Sequence, residues 1–139
     1  MKLTLKARGT ATPDEVWDRY ARPSRWSEWS PPINRVDVPG DRLVPGLAGT
    51  VRGPLGLAVP FRIETVDPGS VIRSWTWRVS VGPISLWLAH SVIPLDGAAA
   101  AAAAGIQRTL TTLDVKGPAP VVAAYAPLAQ LALVRLVRR

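Results

Sequence analysis

The last stretch of the chain, Pro118 to Arg139, reads PAPVVAAYAPLAQLALVRLVRR. Ala, Val and Leu cover almost every face of the helix it would form. Charge is confined to Arg135, Arg138 and Arg139 at its end. A helix that is apolar on most sides has to be surrounded by other structure. One of roughly 20 residues is about 30 Å long, so the rest of the chain must supply a surface long and curved enough to wrap it. A membrane span is the competing use, and it needs about 20 apolar residues. Pro127, Gln130 and Arg135 interrupt the run, so the expectation is a covered helix and no span.

The wrapping surface is read from alternation. Leu3, Leu5 and Ala7 fall on one face of Lys2 to Arg8, with Lys2, Thr4, Lys6 and Arg8 on the other, the period of a half-buried strand. Thr12-Pro13-Asp14-Glu15 is a helix start. Thr12 caps, Pro13 suits the first position and Glu15 completes a capping box. That role, rather than catalysis, accounts for the two acids. Val16, Trp17 and Tyr20 form the apolar stripe, with Trp17 expected against the closing helix. A second short helix follows Pro23, carries Trp26 and Trp29, and stops at Ser30-Pro31-Pro32.

A weak strand, Ile33 to Val38, leads through a loop to another at Leu47 to Gly53. Its partner begins near Ala58, with Val59, Phe61, Ile63 and Thr65 on one face. After the turn Asp67-Pro68-Gly69, Val71, Trp75, Trp77, Val79 and Val81 share a face, on which Arg73 is the one charge. In the next strand Ile84, Leu86, Leu88, His90 and Val92 face one way and Trp87 the other. Gln107 to Lys116 is the last strand, of ambiguous facing. Ala98 to Ala104, seven alanines in a row, read as a bland or mobile hairpin tip, because so few residues between strands do not sustain a helix. Consecutive strands with short turns make an antiparallel meander. The predicted class is α+β: strand, two short helices, six strands, and the long helix in the sheet's concave face.

At 139 residues the chain predicts one domain, 1–139, large enough for a real core without staples. It has no cysteine, hence no disulfide and no thiol nucleophile, which fits a reducing cytoplasm. MKLTLKARG lacks the apolar region of a secretion signal. The net charge of +7 comes from 14 Arg and three Lys. These are scattered rather than clustered, so they read as the bias of a high-GC, bacterial genome and not as a nucleic-acid face. No HExxH, carboxylate cluster, GxSxG, Walker loop or dinucleotide fingerprint is present, so no metal site and no cofactor are expected.

The order of elements, together with Glu15-Val16-Trp17 and Trp26-Ser27-Glu28-Trp29, resembles the SRPBCC (START-like) superfamily and its polyketide cyclase/dehydrase branch. Pro45-Gly46 through Gly49-Thr50, Glu64-Thr65-Val66-Asp67-Pro68, and Asp114-Val115 to Gly117-Pro118 add to the resemblance. Arg22 before Pro23, where the family often has Asp, and the alanine run depart from it. The resemblance implies a helix-grip fold, a curved seven-stranded sheet around a long C-terminal helix, with a cavity between them for apolar or aromatic ligands.

Six Trp against one Phe and two Tyr suit such a cavity. The expected lining is Trp26, Trp29, Phe61, Ile63, Arg73, Trp75, Trp77, Leu88, His90 and Tyr125. Small helix residues, Ala123, Ala124, Ala126, Ala129 and Ala132, are expected to leave space over Trp75 and Trp77. His90, Arg73 and Tyr125 are the candidates for proton transfer or for polarising a carbonyl. Otherwise His90 is a hydrogen-bonded core or cavity-rim residue, Tyr125 is structural, and Arg73 sits at the strand's wet end or pairs with an acid such as Asp114. Binding of a small hydrophobic ligand, lipid- or polyketide-like, is the leading expectation. An aromatase/cyclase enzyme is the second, and a peripheral membrane or partner-binding module using the basic C-terminal end the third. Monomer and homodimer both remain open.

Overall fold

The computed structural model describes residues 1–95 and 107–138; the alanine run lies outside them. Strand β1 (Lys2–Gly9) leads to helix α1 (Pro13–Ala21). A single turn at Pro23–Arg25 then runs into the short helix α2 (Trp26–Trp29). Six strands follow: β2 (Arg35–Asp37), β3 (Ala48–Arg52), β4 (Ala58–Asp67), β5 (Arg73–Val81), β6 (Ile84–Pro94) and β7 (Thr109–Lys116). Helix α3 (Ala119–Leu136) ends the fold. The strands form one antiparallel sheet in the order β1-β7-β6-β5-β4-β3-β2, the seven-stranded α+β arrangement the sequence implies.

Local chemistry sets the element boundaries. The Thr12 hydroxyl accepts from the Glu15 N–H at 3.2 Å, and the Glu15 carboxylate accepts from the Thr12 N–H at 3.3 Å. This reciprocal pair satisfies two orphan donors of α1. Alternation in β5 and β6 buries Trp75, Trp77 and Val79 opposite Leu86, Leu88, His90 and Val92. In β7 the inward set is Thr109, Thr111, Leu113 and Val115.

Two strand readings change. A bulge between Ile63 and Thr65 shifts the register of β4 on β5. One extra residue in a period-2 strand reverses the facing beyond it. Thr65 therefore lies exposed with its hydroxyl 2.6 Å from that of Thr76, and Val66 takes the inner side. Val71 lies before β5 and is exposed.

The closing helix differs more. α3 is long and apolar enough to cross a membrane by length and composition, although the sequence reading expected its polar interruptions to disqualify it. In this fold it packs against the sheet, yet it is not wrapped all round. Val122, Ala129, Ala132, Leu133 and Leu136 are buried, while Leu128, Leu131 and Val134 stay more than 40% exposed. The sheet is open at β1 and β2, so it grips one side of the helix only.

Its C-terminal half is pinned. The Arg19 guanidinium donates to the carbonyls of Leu136 and, at 2.7 Å, Arg138, filling the acceptors a helix end leaves unpaired. The Ala11 N–H donates to the Val137 carbonyl at 2.9 Å. Gly9 allows this approach, since a Cβ there would stand 2.1 Å from the Val137 oxygen. The Gln130 side chain donates to the Lys6 carbonyl at 2.9 Å, covering part of the edge strand. Pro127 sits inside the helix, where it removes one backbone donor and divides the pinned half from the half that starts at Ala119.

Candidate functional site

Two adjacent spaces lie between α3 and the sheet. The deeper, about 40 Å³, is lined by Trp26, Trp29, Trp75, Trp77 and His90, with Leu113, Ala129, Ala132 and Leu133 among the rest of its wall. The wider, about 240 Å³, is walled by Val51, Val59, Val79, Leu86, Leu88 and Leu128, with Pro32 and Leu57 near its rim. Ser30, Ile33, Trp77 and Tyr125 border both. No charged side chain lines either space.

The aromatic end is nearly filled by its own rings. Trp75 stacks on His90 with centroids 4.4 Å apart and planes 9° from parallel. Trp26 stacks on Trp75 at 5.6 Å and meets Trp77 edge-on at 5.2 Å. Such pairs contribute about 0.5–1.5 kcal/mol each beyond their buried area. Ala129 and Ala132 do face these rings, but ring bulk leaves only about 40 Å³ there. Ala123 and Ala124 are exposed and Ala126 lines neither space, because the helix turns that side away from the sheet. The larger space opens where branched aliphatic residues face Tyr125 and Leu128.

His90 is held in one protonation state by its partners. The Trp77 indole N–H donates to Nε2 at 2.9 Å, so Nε2 carries a lone pair. Nδ1 then carries the proton and donates to the Tyr20 hydroxyl, 3.0 Å away. Tyr20 passes a hydrogen bond to the Thr111 hydroxyl at 3.2 Å, and Thr111 donates to the Ser91 carbonyl at 3.0 Å. Every member is satisfied, as a buried polar network requires. Burial pushes the imidazole pKa down to about 3, because a charged ring would be desolvated. His90 lines the deep space, but both of its nitrogens are engaged within the protein.

Arg73 lies outside both spaces. It begins β5, where the strand runs past the start of α1, and its guanidinium pairs with the Asp14 carboxylate and reaches the Pro13 carbonyl at 3.4 Å. Strand parity aimed it inward, but its length lets the charge escape to solvent and a partner. The acid is Asp14 and not Asp114, which bonds Thr4 at 2.6 Å on the outer side of the sheet.

Phe61 and Ile63 also line neither space. Phe61 packs against Trp26 and Trp77 at 5.5 and 5.4 Å, and Ile63 is fully buried. Trp17 borders a surface hollow with Asp14, Arg42, Pro68 and Arg73. Trp87 lies on the outer face under the Lys116 ammonium, 4.9 Å from the ring.

Tyr125 stands at the junction of the two spaces. Burial pushes its phenol up to about 12, so it is a protonated donor at neutral pH. The residues missed by sequence reasoning are Val51, Val59, Val79, Leu86 and Leu128. The facing of the strand residues was readable from period-2 alternation, but the count of tryptophans drew attention to the narrower of the two spaces. Among the described residues no group of three or more acidic, histidine or cysteine side chains is placed to hold a metal.

No curated protein matches this sequence. Solved structures match its fold over nearly all its length. Hypothetical protein jhp0584 from Helicobacter pylori is 19% identical with a TM-score of 0.69, covering 98% of this chain and 84% of that one. The di-domain ARO/CYC BexL from the BE-7585A biosynthetic pathway is 17% identical with a TM-score of 0.72, over 99% of this chain and 45% of its own. Ara h 8.0201 is 11% identical with a TM-score of 0.68, over 98% and 94%. The sequence pattern described as "Polyketide cyclase / dehydrase and lipid transport" matches residues 2–139. With a helix gripped by a seven-stranded sheet and a cavity between them, the chain belongs to that family, within the SRPBCC superfamily.

Proposed function

We propose that the protein, acting as a single domain, binds a compact, uncharged hydrophobic molecule, lipid- or polyketide-like, between α3 and the sheet. The observation that carries this reading is the 240 Å³ space whose lining includes no charged side chain. Apolar walls with a few polar groups are what small-molecule sites present. Holding the ligand, rather than acid–base catalysis on it, is the favoured role. Arg73 is committed to Asp14 outside the cavity. His90 is neutral and has donors and acceptors already matched.

The test uses the uncharged fluorescent probe N-phenyl-1-naphthylamine. Its emission should rise saturably with the wild-type protein. Leu86→Trp, which fills the wide space, should abolish the rise while leaving the circular dichroism spectrum unchanged. An equal rise with both proteins would sink the reading.

A further inference from the structure

Four indoles line the deep space, and three have their N–H groups engaged within the protein. Trp26 Nε1 donates to the Tyr20 carbonyl at 2.9 Å, Trp29 Nε1 to the Arg19 carbonyl at 3.2 Å and Trp77 Nε1 to His90 at 2.9 Å. Trp75 Nε1 is buried with no acceptor among the described residues. The side chain is 1% exposed. A donor orphaned at that depth costs about 1–3 kcal/mol, and folded proteins rarely leave one.

Trp75 also lines the 40 Å³ space. One oxygen-bearing group the size of a water needs only about 10–15 Å³. The remaining polar groups of the wall narrow what can enter. His90 offers neither a free proton nor a free lone pair. Tyr125 is half-buried at the border of both spaces, and its hydroxyl can donate to whatever enters them. The Trp75 N–H can only donate, and no cation lines the space, so its partner is an uncharged acceptor. A carboxylate or phosphate would be desolvated there without a counter-charge, at large cost. A pure hydrocarbon would leave the Trp75 N–H orphaned.

We propose that the deep space is a head-group subsite that receives an uncharged carbonyl oxygen, of a ketone, ester or amide, on the Trp75 indole N–H, while the ligand's apolar body fills the wider space. Tyr125, bordering both, is placed to donate to the same oxygen or to a second acceptor on the body. This assignment rests on the binding function proposed above and adds the ligand's orientation and class to it.

A matched pair of probes tests it: 2-acetylnaphthalene, which carries the carbonyl, and 2-ethylnaphthalene, which does not. Titration calorimetry on the wild-type protein should show the ketone binding roughly tenfold more tightly, the factor that one net hydrogen bond supplies. Trp75→Phe keeps a ring and removes the N–H. It should bring the two affinities together by weakening the ketone alone. Should Trp75→Phe not fold, the indole ¹⁵N–¹H spectrum of the wild type decides. The ketone should move one indole resonance downfield and the hydrocarbon should not. If both probes bind with equal affinity and equal indole shifts, the subsite is wrong and the cavity reading stands. If neither binds, the cavity reading falls and the subsite with it.

Discussion

The two ends of the space under α3 are built from opposite materials. At one end Trp26, Trp29, Trp75, Trp77 and His90 interlock around about 40 Å³. At the other, Val51, Val59, Val79, Leu86 and Leu88 surround about 240 Å³. The helix repeats the division. Its C-terminal half buries Ala129, Ala132, Leu133 and Leu136 and is tied down by Arg19. In its first half only Val122 is fully buried. Large rings thus fill one end, and the larger volume lies where smaller branched side chains meet the helix on either side of Pro127, at Tyr125 and Leu128. A count of aromatic residues locates the core of this protein more directly than it locates its cavity.

The sharpest way to break that contrast is to remove a ring and, separately, a cavity-wall side chain. Trp26→Ala deletes three ring contacts and the bond to the Tyr20 carbonyl. It should destabilise by about 3–5 kcal/mol, read from urea denaturation. Val79→Ala, on the wall of the wide space, should lose no more than about 1.5 kcal/mol, the transfer value of two methyl-sized groups. Equal losses would mean that the two ends are equally packed. Overpacking provides the next largest contrast. Ala129→Leu pushes extra carbons into the filled end and should cost about 1–3 kcal/mol. Ala124→Leu, on the exposed side of the first half, should shift the urea midpoint little, within about 0.5 kcal/mol.

These particulars also show where the sequence was legible. Period-2 alternation placed Trp75, Trp77, Leu88 and His90 on the inner side because apolar and polar residues contrast strongly there. It misplaced Thr65 because the bulge at Glu64 has no glycine to mark it. In β7, threonines occupy both faces, so TLTTLDVK shows no clear stripe. α3 posed the same difficulty at helical period. Being apolar on all sides, its sequence does not say which side is gripped. The state of His90 depends on Tyr20, 70 residues away, and on Trp77, a three-dimensional coincidence no local pattern encodes.

The aromatic end should also reveal itself by pH. Above about 6.5, the ordinary value for His90 in the unfolded chain, the ring is neutral in both states. Its folded value is about 3. Between these limits only the unfolded chain takes up the proton, so stability falls as pH falls. One unit below the unfolded value, at pH 5.5, the loss should be about 1.4 kcal/mol. Asp18, held low by Arg22 and Arg25, Asp37, held low by Arg52 and Arg35, and Asp41, held low by Ser24, act at more acid pH. The window from 6.5 to 5 therefore isolates His90. Urea midpoints of wild type and His90→Gln measured across it should diverge, with the variant flat. Parallel curves would mean that His90 is not buried as a neutral ring.

A smaller effect than that of His90 bears on why the helix has two unlike halves. If the Arg19 guanidinium pins the C-terminal end, Arg19→Ala should release the carbonyls of Leu136 and Arg138. The cost should be about 1 kcal/mol, in the range for a cation at a helix C-terminus together with its lost hydrogen bonds. Locally that is about a fivefold rise in the exchange of the amides of Leu133, Leu136 and Val137. Amides near Val122 should not follow, because Pro127 already divides the hydrogen-bond ladder between them. Uniform acceleration along the whole helix would show that the two halves move as one, and that the wide end of the cavity owes its space to the shapes of Val79, Leu86 and Tyr125 alone.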